Sequence, residues 1–244
     1  MGLSAASNYG QRSRFRVRRL YDAQLERFQR LLYDLLPPSV ANIMITTVER
    51  PPPETCHAAV LQLDICRFTE LSRTLPPLKL ARLVHSLFTH FDAAVRLQKL
   101  FKADTIGDAY VVACFVDPYS SAGVEGLRSM LAAAYAMLQA IEEVSANSEH
   151  KLTCRIGMAM GTVTTGVLGQ LQTRFHVQGP ALQAAEILEQ TSPMENTLHV
   201  SKEFLEALAP SSDDTCPPDW FIQAESRQSY NLGLSPRNML CGDA

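Results

Sequence analysis

The sequence predicts an α+β domain, a β-α-β-β-α-β core of the ferredoxin-like kind with a C-terminal extension, its antiparallel sheet flanked by helices. Three observations predict it. Short β-rich apolar runs alternate with longer apolar stripes of helical period. Two of the runs, "LFKADTI" and "AYVVACFV", are parted only by a Gly107-Asp108 turn, while helical stretches part the others. The chain of 244 residues is 46% hydrophobic, enough for one large domain with its own core.

From about Tyr21 to Met44 the pattern is helical, with Leu25, Phe28, Leu32 and Leu35 stepping by three, four and three as a short a/d seam. A lone helix of this length is marginal and must pack on the domain or on a second copy. Pro37-Pro38 and the linker-like Pro51-Pro52-Pro53 punctuate its end. The chain thus divides into a basic arm (1–20), a linker or dimerisation helix (21–50) and a domain (54–244). In the domain "AAVLQLDI" reads as a strand and "FTELSRTL" as a helix start. Leu80, Leu83, Val84, Leu87, Phe88, Phe91 and Val95 form the stripe of a long helix. Leu127, Met130, Leu131, Ala134, Leu138 and Ile141 mark another. "CRIGMAMG", "TGVLGQL" and "RFHVQG" read as three strands, "PALQAAEILEQ" as a helix, "LHVS" as a strand and "KEFLEALA" as a helix. "WFIQAES" and "QSYNLGL" read as a closing hairpin, and the helices are expected on one face of the sheet.

The net charge of −3 gives no global reason to expect nucleic acid or membrane as partner. Six cysteines lack CxxC spacing, and Cys66, Cys114 and Cys154 lie in or beside strand-like runs, as buried thiols of a reducing compartment do. No signal peptide and no bilayer-spanning apolar run is evident. "MGLSAAS" misses the myristoylation pattern at Ala6. Arg12, Arg14, Arg16, Arg18 and Arg19 follow without an acid, as a solvated arm, an anionic-membrane contact or a transit segment would. Gly161, Gly166 and Gly169 do not make a dinucleotide fingerprint and read as strand bends. The histidines, of which His85 and His90 come nearest to a shared face, read as surface or core residues.

Two carboxylates stand out. Asp64 ends the first strand and Asp108 sits at the turn between the next two, which this topology places side by side with the first at the sheet's centre. Two such carboxylates repel unless a cation lies between them, and hard oxygen donors suit magnesium or manganese. The alternative is local: Asp64 caps the following helix and Asp108 serves the turn.

"LQLDICRFTELS" with "FKADTIGDAYVV", "RIGMAMGTVTTGVLG" and "LLYDLLPPSVAN" resembles the catalytic domain of class III adenylyl and guanylyl cyclases over roughly Leu31 to Pro210. The resemblance implies that fold, two metal-binding aspartates at Asp64 and Asp108 with Ile65 at the same Mg2+ or Mn2+ site, and phosphate contacts along Ile65, Cys66, Arg67, Phe68 and Thr69. It implies a nucleoside triphosphate whose 3'-hydroxyl attacks its own α-phosphate, in a dimer with sites built from both chains. Base reading falls on Asp104 and His176, and Asp104 in place of glutamate favours guanine. Other positions depart from the family. Its asparagine falls on Gln183, a longer amide, and its transition-state arginine on Ile187, with no charge. Its phosphate-binding lysine has only Arg227 nearby. Arg67 replaces a glycine and either contacts phosphate, crowds the turn or faces solvent. The resemblance therefore implies the metal-supplying half of a heterodimer in cyclic-nucleotide signalling, inactive alone, in the cytoplasm or in a larger membrane receptor. A dead, dimerising pseudo-cyclase is the alternative. A polymerase-type palm or diguanylate cyclase lacks support, because no GGDEF-like turn is present.

Overall fold

A computed structural model describes residues 2–47, 49–116, 120–169, 174–208, 220–226 and 229–234. The chain divides into two compact units, 1–53 with 166–175, and 54–165 with 176–244.

The first unit holds α1 (Gly2–Leu35) and α2 (Pro38–Thr47). The helix expected from Tyr21 begins at Gly2, so the arginine-rich stretch is helical, in keeping with the good helix propensity of alanine and arginine. It stops at Pro37-Pro38, where a proline ring cannot continue the first helix but is suited to open the second. Tyr33 donates to Asn42 at 2.6 Å across the joint.

The second unit carries the strands β1 (Glu54–Ile65), β2 (Phe101–Ile106), β3 (Ala109–Phe115), β4 (Cys154–Leu168), β5 (Arg174–Gln178), β6 (Thr197–Ser201), β7 (Trp220–Ser226) and β8 (Ser229–Leu234). The last residues of β4 and the first of β5 belong to the first unit. The helices are α3 (Phe68–Thr74), α4 (Pro77–Leu97), α5 (Ser121–Ala146), α6 (Pro180–Gln190) and α7 (Lys202–Leu208). The sheet order is β2-β3-β1-β4-β6-β8-β7, with β5 paired to β4. Its first four strands are antiparallel throughout, as the ferredoxin-like order requires. The extension then adds β6 parallel to β4, and the expected β7–β8 hairpin closes the edge.

Alternation along β1 sets the two faces. Ala59, Leu61, Leu63 and Ile65 join Leu87 and Phe91 of α4 and Leu127, Met130, Met137 and Ile141 of α5 in one fully buried core. The residues between them, Gln62 and Asp64, therefore face the other way. The helices do not all lie on one face as expected, because α6 covers that second face. Glycine makes this approach possible: a Cβ at Gly157 would run into the Ala185 carbonyl and the Glu189 backbone nitrogen. Gly161 is likewise no bend. β4 runs through it unbroken, and a Cβ there would meet Ala181 of α6 at 3.6 Å.

Candidate active site

Antiparallel pairing puts Asp64 of β1 opposite Arg155 of β4 and Leu63 opposite Tyr110 of β3. Asp64 thus ends its strand beside the β2–β3 turn, and its carboxyl comes within hydrogen-bonding reach of Asp108. Burial, then the charge of Asp108 and the hydrogen bond to it, push the Asp64 carboxyl up from 3.8 to about 6, against the lowering pull of Arg155. Asp64 does not cap the next helix: Arg67 holds the N-cap position of α3 and gives it no side-chain hydrogen bond.

Arg155 and Glu189 complete the group. The Arg155 guanidinium reaches Asp64 at 3.4 Å and Glu189 at 2.9 Å. Glu189 lies on the buried side of α6 and is 3% exposed. Burial foremost, with the nearby acids, pushes its carboxyl up to about 7 although Arg155 pulls the other way. The 2.9 Å pair is not aligned as a hydrogen bond, and Glu189 Oε1 and Arg155 Nε lack hydrogen-bond partners among the described residues. One cation thus serves two carboxylates, and Asp108 adds a third negative charge. Sequence reading missed both residues. Their signals were an arginine in the apolar first half of β4, and a glutamate four residues after Ala185 on the apolar side of α6.

The donor set fits a divalent cation of the magnesium type. Two hard carboxylates face one another with a deficit of positive charge. Magnesium is held in this way, by one or two carboxylates with phosphate and water oxygens filling the shell. Ile65 can add only its backbone, because its side chain is 1% exposed in the core.

The turn that follows is strained. Arg67 has φ 58°, in the left-handed region that favours glycine, and its side chain reaches Glu195 at 3.6 Å. Of the three expectations for Arg67, this one resembles the solvent-facing residue, since its side chain is 61% exposed. Phe68 packs on the core and Thr69 is exposed. Cys66, Arg67, Glu70, Leu71, Thr74, His150, Lys151 and Leu152 line a cavity of about 220 Å³ beside the turn. Cys56, Cys66, Cys114 and Cys154 are free thiols, and burial pushes Cys114 up to about 11.

The other candidates are not part of this cluster. The Asp104 carboxylate accepts from the Thr105 amide at 2.7 Å. His176 is half-buried on β5. Gln183 and Ile187 share one exposed face of α6 at i,i+4 spacing, and Ile187 is 58% exposed. Arg227 lies outside the described residues.

Residues 51–232 match the model of the adenylate and guanylate cyclase catalytic domain. A soluble guanylate cyclase of Caenorhabditis elegans, gcy-31, is 31% identical over 176 residues, which cover 69% of this chain and 24% of that protein. The receptor-type guanylate cyclase gcy-7 of the same animal is 32% identical over 178 residues, 71% of this chain and 16% of that one. The chain thus spans a quarter or less of these relatives. The guanylate cyclase domain of RhGC from Catenaria anguillulae, solved with GTP, shares the fold at TM-score 0.61 and 20% identity, covering 74% of this chain and 98% of its own. The adenylyl cyclase CyaB of P. aeruginosa does so at TM-score 0.64 and 20% identity, covering 78% and 100%. With the family model spanning most of the chain and the two aspartates side by side at the head of its sheet, this chain belongs to the adenylate and guanylate cyclase catalytic-domain family, the class III cyclases.

Proposed function

We propose that the chain is the metal-supplying half of a heterodimeric nucleotidyl cyclase, turning GTP, or less readily ATP, into its 3',5'-cyclic nucleotide and pyrophosphate. The pairing of Asp64 with Asp108 supports this reading, because two facing carboxylates short of positive charge are matched to a divalent cation. Mg2+ or Mn2+, two per site, would activate the 3'-oxygen and stabilise the leaving phosphate. Asp64 and Asp108 hold the cation, and Arg155 keeps Asp64 aligned. The Cys66 amide is already given to the Thr153 carbonyl at 2.9 Å, so of the Ile65–Thr69 turn the amides of Arg67, Phe68 and Thr69 are the ones left for the phosphates; Asp104 and His176 read the base, and Asp104 as an acceptor favours guanine. Gln183 is a weak catalytic amide. Ile187 offers no charge to a transition state, so the partner supplies the arginine, with the asparagine and the lysine. The exposed seam of α1, with Leu25, Phe28 and Leu35 at 43%, 58% and 68%, supports pairing with a partner's helix. The exposed Arg16, Arg18 and Arg19 support contact with an anionic membrane. No helix among the described residues is long and apolar enough to cross a membrane.

Mn-GTP and Mn-ATP turnover, measured on the purified chain alone and after co-expression with a cyclase domain bearing the asparagine, arginine and lysine, tests this. Activity in the pair only is expected; strong turnover by the chain alone sinks it. The strained Arg67 at the phosphate turn favours a second reading, a pseudo-cyclase that dimerises and regulates. Failure to bind Mn2+ with a nonhydrolysable nucleotide, alone or paired, selects it.

A further inference from the structure

On the sheet face opposite the carboxylate cluster, Asp92 of α4 makes two contacts that the proposed chemistry does not use. Its Oδ1 accepts from the Tyr110 hydroxyl at 2.5 Å and from the Lys102 ammonium at 2.8 Å. Lys102 is on β2, two residues before Asp104, and Tyr110 is on β3, two residues after Asp108. One carboxylate oxygen therefore takes one donor from each strand of the hairpin whose turn carries the site.

The donors are fixed in turn. Tyr110 is fully buried, its ring 5.4 Å from that of Phe88 and 5.3 Å from that of Phe91. The Lys102 ammonium stands 4.7 Å from the Tyr110 ring centre. The strand itself carries a bulge here. Lys102 pairs with Val112 and Asp104 with Val111, so the register slips by one at Ala103. Cross-strand partners share a face. Val112 lies in the core beneath α4 and α5, which puts Lys102 on that face and Asp104 on the other, with Asp64. Without the bulge Asp104 would share the face of Lys102 and point away from the site.

We propose that Asp92 is a positioning residue: it clamps both strands of the β2–β3 hairpin from the far face, locking the Ala103 bulge so that Asp104 and Asp108 stand on the nucleotide side. This rests on the reading of Asp64 and Asp108 as metal ligands. The test is Mn2+ binding to the whole chain, followed by electron paramagnetic resonance, in the wild type and in Asp64→Asn, Asp92→Ala, Asp92→Asn and Lys102→Met. Amide hydrogen exchange of Thr105–Ala109 is read in parallel. Asp92→Ala is expected to weaken Mn2+ by up to about tenfold, the low end of what loss of a ligand's direct partner costs, because Asp92 acts on the ligands only through Lys102 and Tyr110, and to speed exchange in the turn but not in α5. Asp92→Asn keeps an acceptor for Tyr110 and falls between Asp92→Ala and wild type. Lys102→Met removes a half-exposed side chain and carries the test if Asp92→Ala does not fold. Wild-type Mn2+ affinity in Asp92→Ala and Lys102→Met, with Asp64→Asn defective, overturns the clamp. Wild-type affinity in Asp64→Asn overturns the metal assignment instead, and unchanged turn exchange then removes the clamp as well.

Discussion

Replacing Asp64 with asparagine should make the metal-free chain more stable while disabling it. The folded carboxyl is raised from 3.8 to about 6, so the native state holds its proton more tightly than the unfolded chain. A raised acid weakens the fold when it ionises: the penalty is absent below about pH 4, grows through the interval up to about pH 6 and is full above it. Two pH units correspond to about 3 kcal/mol. Asp64 is 26% exposed, and water at its edge brings the expected gain for Asp64→Asn nearer 1.5 kcal/mol at pH 8. Removing the charge also relieves Glu189, which Asp64 pushes upward. For a chain of this size the melting midpoint should rise by about 3–6 °C at pH 8 in chelator, by about half that at pH 5, and hardly at all at pH 4. Mn2+ with nucleotide should raise the wild-type midpoint and leave that of the variant unchanged. Thermal melts followed by circular dichroism at the three pH values decide the matter. A variant that melts below wild type at pH 8 without metal, or that gains equally at pH 4 and pH 8, refutes the account of two carboxylates forced together.

Arg67→Gly should stabilise the chain by about 0.5–1 kcal/mol in urea unfolding, since the left-handed strain of about 1–2 kcal/mol exceeds the added entropy of glycine and the exposed pair with Glu195 contributes little; a lower urea midpoint counts against it. Gly157→Ala drives a Cβ into the backbone of α6 and should destabilise by at least about 3 kcal/mol, seen as faster proteolysis, whereas wild-type resistance would mean that α6 is not seated there. Gln183→Asn with Ile187→Arg should raise Mn-GTP turnover of the chain alone at least about tenfold, given what a single charge-stabilising donor is worth in such sites; no change in a folded double variant would remove those two positions from the proposed transition-state role.

Most elements were legible because their periods are clean. Pro180–Gln190 was read end to end, since a proline opens it and its apolar positions recur at helical spacing. The β2–β3 hairpin was legible from two apolar runs around one turn. The order of strands also put Asp64 and Asp108 side by side. The reach of α1 back to Gly2 was less visible, because arginine supports a helix without marking a face. The face of α6 was invisible too. Gly161 reads as a bend and Gly157 carries no signal of its own, and only the helix lying against β4 explains why no side chain fits at Gly157.

The sequence by itself determined the order of the elements, the two carboxylates, the family and the uncharged Ile187. Those features are local, or follow from connectivity. Tertiary structure alone decided that Arg155 is shared by Asp64 and Glu189, that Arg67 stands at φ 58° beside Glu195, and that Asp92 holds the hairpin through Lys102 and Tyr110. Each depends on distances between segments far apart in the chain, and charge balance is fixed by those distances rather than by spacing along the sequence.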